Sequence, residues 1–454
     1  MSALFLLPGL ISLFLVLRGK LETAFLSVYL PTLLLLPDGY DFRLPHLPPI
    51  SAAQSALIPI GAVALFRLVL SGLPSLMDVL IVLFMVSITA SEVTQERVMN
   101  DGILSAIVTV ISILFSYAVG RKIIEPGLRF ATVRRIVILI LFLGPFGLYE
   151  WRMGQNLFGV FGQRLFDAAS VHADVQFRSG HGRMAVSFND SELAGIVFGM
   201  TAALNVWLTY MDKWRLAPNL GKRLSKLEKY HIPGLLLLGY VYLTQSRGPQ
   251  IATGVGYLIL QIPKFKNKKT AITLAAIVIV VGAAAAYQYF NRYTTVTDPS
   301  AMNEQQGSAI YRRQMNELYG PIAAQGGLLG WGLLSHPILV GMFSIDNEFL
   351  LIHLAYGSAG YFLFILIAAE TFRRPLKYAW IWQRREDQAM AVSMLAALAI
   401  FWISIATVYM GEQMPQIAFL LIGWSQSLMP GATANSAVAE DVAPARFAFS
   451  RVFR

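Results

Sequence analysis

Residues 241–252 read VYLTQSRGPQIA: an apolar run stops, one arginine appears, and past Gly-Pro the apolar run resumes. Both flanks are lipid-compatible, so the stretch decides whether one membrane helix continues here or two short ones meet. Proline lacks the N–H a helix interior needs and crowds the preceding turn, which predicts a break at Gly248-Pro249. Basic clusters at Lys213 to Lys229 and at Lys264 to Lys269 bracket the apolar interval 232–262. Two full crossings take roughly 40 residues, more than this interval holds. A short helical hairpin is therefore expected. Its tip, Thr244 to Arg247, is expected in a water-filled cavity below the membrane surface, because free backbone and a guanidinium cannot face lipid.

The same pattern extends outward. The 454 residues are 56% apolar and 14% charged, with mean hydropathy +0.57, which excludes an ordinary water-soluble globule. Apolar runs recur from residue 3 to residue 428, and their lengths predict about 12–13 transmembrane helices. The runs are apolar on consecutive positions, not alternate ones, which excludes a β-barrel and predicts an all-α polytopic membrane protein. Cysteine is absent, so disulfides, thiolate zinc and a cysteine nucleophile are excluded.

Net charge is +10, and most of the 36 Lys and Arg residues fall in alternate loops. The positive-inside rule places those loops in the cytoplasm, with the N-terminus outside and the C-terminus inside. Two long segments, 151–190 and 289–345, fall on the other side, and loops of that length in a bundle are where function concentrates. The chain divides accordingly into N-terminal transmembrane helices (1–150), a catalytic region containing both loops (151–370), C-terminal helices (371–429) and a cytoplasmic tail (430–454). Basic residues outside the cytoplasmic clusters, among them Arg178, Arg183, Arg247, Arg312 and Arg313, are all arginine. The positive-inside rule disfavours Lys and Arg equally, so this choice points to planar groups that bind phosphate or carboxylate through paired hydrogen bonds.

S-R-G at the tip of a short helical hairpin resembles the central signature of the O-antigen ligase and polymerase superfamily. RMAVSFNDSELAG (183–195) is similar to that family's R-x-x-G-T-F-x-x-x-N-x-x-A entry to the next helix, matching at Arg183 and Phe188. It departs at Val186, Ser187 and Glu192, and its alanine comes one residue early, at Ala194. Downstream, YRRQM (311–315), LLGWG (328–332) and SIDNEFLLIHLAYGSAG (344–360) resemble the family's outer loop and return helix, with Gly357 and Gly360 in G-x-x-G spacing. The resemblance covers roughly residues 178–365. Ligases that pass polysaccharide to lipid A core typically carry His-Asn where this chain has Asp346-Asn347; the Asp-Asn-Glu form looks more like the polymerases that join lipid-linked repeat units.

The resemblance implies a GT-C-like fold in the bacterial inner membrane, with an active site facing the periplasm or cell exterior. It implies displacement at a sugar anomeric carbon with polyprenyl diphosphate as leaving group. The implied partners are polyprenyl-diphosphate-linked oligosaccharide, membrane lipid, and chain-length regulator and flippase proteins, with no nucleic acid. Such a reaction needs cationic donors on the diphosphate and a group that takes the acceptor proton. Arg183, Arg247, Arg312 and Arg313 are the candidates for the first role, Asp346 for the second, and Arg178, Asn347 and Glu348 for glycan contacts. Plainer uses stand beside these: Asp190 as a helix cap with Glu192 at the favourable end of the dipole, Asp346 as a cap of its own helix, and one of Arg312 and Arg313 on a solvated face. Tyr293, Tyr311, Tyr319, Trp331 and Phe343 are candidates to stack on sugars or to form an interfacial belt. The six histidines are scattered, and neither a metal-binding pattern nor a nucleotide-phosphate loop occurs, so no metal and no cofactor is expected. An O-antigen ligase is the alternative within the family. A transporter of anionic lipid-linked sugar is the alternative outside it, disfavoured because no internal repeat is visible and the unusual residues fall on one side.

Overall fold

The computed structural model describes residues 2–43, 48–95, 99–166, 174–188, 190–211, 232–264, 268–295, 304–342, 344–381, 385–411 and 413–428. The basic cluster at 213–229, Phe343, Glu412 and the tail 430–454 lie outside the described residues.

The consecutive apolar runs form helices because a helix satisfies its backbone N–H and C=O groups internally, as lipid requires. In chain order these are α1 Ala3–Leu17, α2 Leu21–Leu35, α3 Ala52–Val69, α4 Leu76–Gln95, α5 Asn100–Lys122 and α6 Pro126–Met153. The short α7 Leu157–Phe166 follows, then α8 Ser191–Tyr210, α9 Ile232–Leu243, α10 Arg247–Gln261, α11 Lys268–Thr294 and α12 Glu304–Gln325. Next come α13 Glu348–Ile381, α14 Arg385–Ser404 and α15 Met414–Gln426. Among the described residues the strands are two small antiparallel pairs, β1 Asp41–Phe42 with β2 Ile50–Ser51 and β3 Phe177–Arg178 with β4 His181–Gly182. The chain is an all-α polytopic membrane protein.

Among the described residues, seven helices, α3 to α6, α8, α13 and α14, are long and apolar enough to cross a membrane. The remaining apolar runs are helical too: α1, α2 and α9 are shorter apolar helices, α10 and α15 have 15 and 13 residues, and α11 has 27. A perpendicular crossing takes about 20.

α8 sits centrally, in contact with α6, α9, α10 and α14, and 83% of its span is buried. Small residues set the closest helix crossing. A Cβ on Gly120 of α5 would lie 2.1 Å from the Leu420 carbonyl oxygen of α15, and one on Gly423 would lie 2.1 Å from the Tyr117 oxygen. Without side chains at these positions the two backbones touch, which replaces the hydrophobic drive that lipid does not supply.

The α9–α10 pair forms the expected interrupted segment, but its break falls at Thr244–Ser246, before Gly248-Pro249. Gln245 turns the chain with φ 51°. Pro249 lies in the first turn of α10, where its missing N–H has no intrahelical acceptor to lose. Both arms pack on α8, α9 also on α6 and α10 also on α14.

α13 is interrupted as well. Gly357 has φ 65° and ψ −165°, and the loop after α12 closes the gap. Trp331 N–H donates to Leu354 O at 3.0 Å, Gly332 N–H to Ala355 O at 2.9 Å, Ser358 N–H to Gly327 O at 3.0 Å, and Ala359 N–H to Leu328 O at 3.1 Å. The backbone groups freed by the break thus find protein partners, the condition for a broken helix at membrane depth.

Arginines gather at one end of the bundle. Arg121 pairs with Asp78 at 3.0 Å, while Arg129 and Arg374 donate to Ser427 O and Gln426 O at the end of α15. α6 starts at this end and carries Glu150 to the other, where the long loops meet the first turns of α8 and α13.

Candidate functional site

At that second end lies a cavity of about 630 Å³ bounded by the end of α6, the β3–β4 hairpin, the start of α8, α12 and the segment before α13. It is built from the caps inward. Asp190 caps α8 by accepting the Glu192 N–H at 2.8 Å, as its position before an apolar run predicts. This first turn puts the Glu192 carboxylate on the cavity wall, 3.4 Å from Arg183 and 3.4 Å from Arg312. Burial pushes the Asp190 carboxyl above the usual carboxylate range; the Glu192 N–H, Arg183 and Arg312 oppose the rise, and Asp346 adds to it.

Arg183 lines the cavity but is 6% exposed, and its donors go to protein. Nε–H donates to Thr244 O at 3.2 Å, one terminal nitrogen donates to Ser246 Oγ at 2.7 Å, and the other reaches Gln176. Arg178, on β3, donates to Gln245 O. Two loop arginines therefore satisfy the hairpin tip where water was expected to do so, and Thr244 and Ser246 are buried. β3 and β4 close around Ser179 (φ 54°) and Gly180 (φ 80°), the two positive φ values of a type I′ turn. His181 stacks on Trp151 at 4.2 Å and fastens this hairpin to α6.

Before α13, Asn347 takes the capping role, its Oδ1 accepting the Leu350 N–H at 3.2 Å. Asp346 is left to line the cavity, held by the Ser344 hydroxyl at 2.6 Å and 3.9 Å from Arg312. Glu348 turns inward: it is 4% exposed and accepts the Met410 N–H at 2.6 Å, so it tethers the 405–410 segment and does not line the cavity.

A second cavity of about 400 Å³ adjoins the first, and Arg178, Glu192, Ser308 and Arg312 line both. Arg247, exposed at the first turn of α10, faces this one with Pro249, Ile251, Tyr289 and Tyr293. Arg313 faces neither. It pairs with Glu317 one turn along α12 at 2.8 Å and donates to Thr294 Oγ1 at 3.2 Å, the solvated face foreseen for one of the two arginines.

No protein-family model matches the chain, and no curated protein matches its sequence. The site's chemistry therefore rests on its own geometry. Polar acceptors dominate the first cavity, and guanidinium groups with apolar walls dominate the second. The Arg312 Nε and the Ser191 hydroxyl are buried without a hydrogen-bond partner among the described residues, at the first cavity's wall in both cases.

Sequence reading passed over Glu150. It is 2% exposed, lines the first cavity, and accepts the Ala185 and Val186 N–H groups at 3.0 and 2.8 Å and the Asn156 amide at 3.0 Å. Val186 has φ 52°, a costly conformation for a β-branched residue, and the carboxylate holds it. The available signal was a lone carboxylate closing a long apolar run. For Glu192 the signal was its departure from the family pattern. Of the aromatic candidates, Tyr293 lines the second cavity, Tyr311 bonds the Ser344 backbone, and Tyr319 is buried in a local core with Trp331 packed on it.

Proposed function

We propose that this protein is a glycan polymerase of the bacterial inner membrane. It transfers a growing polysaccharide from polyprenyl diphosphate to a lipid-linked repeat unit, on a GT-C-like scaffold with the site facing the periplasm or exterior. One observation carries the reading: a polar cavity containing Asp346 and an arginine-lined, partly apolar cavity containing Arg247 share a wall made of Arg178, Glu192, Ser308 and Arg312. A lipid diphosphate needs the second kind of surface and a sugar chain the first, and the reacting anomeric carbon lies where they join.

In this reading the acceptor hydroxyl oxygen attacks the anomeric carbon, the bond from that carbon to the diphosphate oxygen breaks, and the diphosphate leaves with the electron pair. Asp346 takes the hydroxyl proton. Arg247, Arg312 and Arg178 stabilise the charge that develops on the departing phosphates. Exposed Ile251 and Tyr289 beside Arg247 supply an apolar path for the prenyl chain. Polyprenyl-diphosphate-linked oligosaccharide and membrane lipid are the partners this chemistry uses, with chain-length regulator and flippase proteins around it.

The test is oligomer formation by purified protein in liposomes supplied with a lipid-diphosphate-linked repeat unit, beside Arg247→Lys and Asp346→Asn. A ladder of products from the wild type, lost in both variants, supports the polymerase. Transfer of the lipid-linked sugar between leaflets without lengthening makes the protein a transporter and overturns the proposal.

A further inference from the structure

No Asp, Glu, Lys or Arg occurs over residues 318–345, although this stretch belongs to one of the two long segments outside the basic clusters. The other long segment, 151–190, has seven such residues. A loop standing in water is ordinarily rich in charge, so its absence over this length points to a different surrounding. The uncovered side chains agree. Leu328, Leu334, Ile338 and Val340 are each at least 64% exposed, while Leu339, between the last two, packs on a local core with Tyr319 and Trp331. Four large apolar groups left open on one loop need a nonaqueous neighbour.

α13 supplies the depth. Residues 349–369 also lack Asp, Glu, Lys and Arg, and as helix they span about 30 Å, which matches a hydrocarbon core of about 30 Å. Gly357, where α13 is interrupted, stands about 14 Å along that length from Glu348. The loop reaches the same level, because Gly327, Leu328, Trp331 and Gly332 bond the backbone of residues 354–359 on both sides of the break. The approach is backbone to backbone: a Cβ on Gly330 would lie 2.4 Å from the Ala355 oxygen. Irregular chain at such depth is stable where protein satisfies its backbone groups, and here α13 does so. One and two turns beyond Ala359, Phe362 and Leu366 are exposed on α13. The open side chains of the loop thus adjoin an apolar face of a membrane-crossing helix.

We propose that residues 326–342 form a re-entrant loop in the leaflet on the cavity side, with Leu328, Leu334, Ile338 and Val340 against lipid acyl chains. The partner is the bilayer interior, and the inference is independent of the glycan reading. α12 carries Arg312 to the wall shared by the two cavities and ends at Gln325, directly before the loop. A loop anchored in lipid therefore holds that wall at the membrane surface.

The chain has no cysteine, so single sites can be labelled in the full-length protein. Nitroxides are attached at Leu334→Cys, Ile338→Cys and Val340→Cys, one variant at a time, in vesicles of phosphatidylethanolamine and phosphatidylglycerol. Glu317→Cys, at a position 60% exposed on α12, is the solvated control. Electron paramagnetic resonance reads collisions of each nitroxide with oxygen, which concentrates among acyl chains, and with a water-soluble nickel chelate present on both sides of the membrane. Oxygen collisions are expected to exceed chelate collisions several-fold at the three loop positions, with the order reversed at Glu317→Cys. Chelate collisions in excess at all three place the loop in water and overturn the proposal. Low rates with both reagents mean that protein covers these side chains, which overturns it equally.

Discussion

The guanidinium of Arg312 lies 3.4 Å from the carboxylate of Glu192, across a sequence separation of 120 residues. The contact ties α12 to the first turn of α8 at the wall shared by the two cavities. Arg312 is therefore held in place before any ligand arrives, the arrangement that lets a cation stabilise developing charge without reorganising.

Arg312→Lys keeps the charge and loses the planar fork. Turnover of a lipid-diphosphate donor is expected to fall by about 10²-fold, the cost of removing one aimed donor from such a site. Arg313→Ala, one residue away on the solvated face, should alter turnover by less than about twofold, since an exposed i,i+4 pair contributes little. Comparable losses in both variants would refute the assignment of Arg312 to the cavity and Arg313 to solvent.

Arg183→Met acts through the hairpin tip. It removes donors from Thr244 O and Ser246 Oγ and leaves Glu192 with one fewer cation. A loss of about 3 kcal/mol is expected for breaking a buried charged contact of this kind, seen as earlier thermal unfolding in detergent, with protease sensitivity appearing between α9 and α10.

Gly357→Ala tests the closure of α13. Its φ of 65° disfavours any side chain, and the added Cβ would meet the Gly330 nitrogen at 2.4 Å. Destabilisation of about 1–3 kcal/mol is expected, with faster amide exchange at residues 327–332 reporting release of the loop from the helix.

Asp190 gives the end of α8 a pH dependence. Its folded-state pKa lies above its ordinary value of 3.8, chiefly through burial, so the folded chain retains a proton that the unfolded chain has released. Its contribution to stability is complete below the unfolded pKa and declines as pH rises through the raised folded value. Asp190→Asn keeps the cap acceptor and removes the titration, so thermal stability in detergent should depend less steeply on pH above about 4 than in the wild type.

Glu150→Gln disturbs the carboxyl group whose Oε2 accepts both the Ala185 and Val186 N–H groups, since one of its two terminal atoms becomes a donor only. The expected loss is about 1–3 kcal/mol, measured by unfolding, with turnover reduced through displacement of Arg183 and the tip it holds.

Local composition by itself determined the helices and their membrane setting, because the transfer of consecutive apolar side chains and the need to satisfy backbone groups in lipid are properties of a segment. It also determined that a helix would be interrupted near Arg247 and that Asp190 would cap the next one. Tertiary structure decided what neighbouring residues could not reveal. Arg312 and Arg313 are adjacent, yet successive helix positions point about 100° apart, so only packing settles which one enters a cavity. The position of the hairpin break followed from loop arginines that reach its carbonyls from outside the segment, and proline alone misplaced it. Asp346, Asn347 and Glu348 took three different roles within one helical start, facing a cavity, capping α13 and holding a distant backbone N–H. The two charged cavities exist only where α6, α8, α10 and α12 converge, since the charges that line them come from segments far apart in the chain.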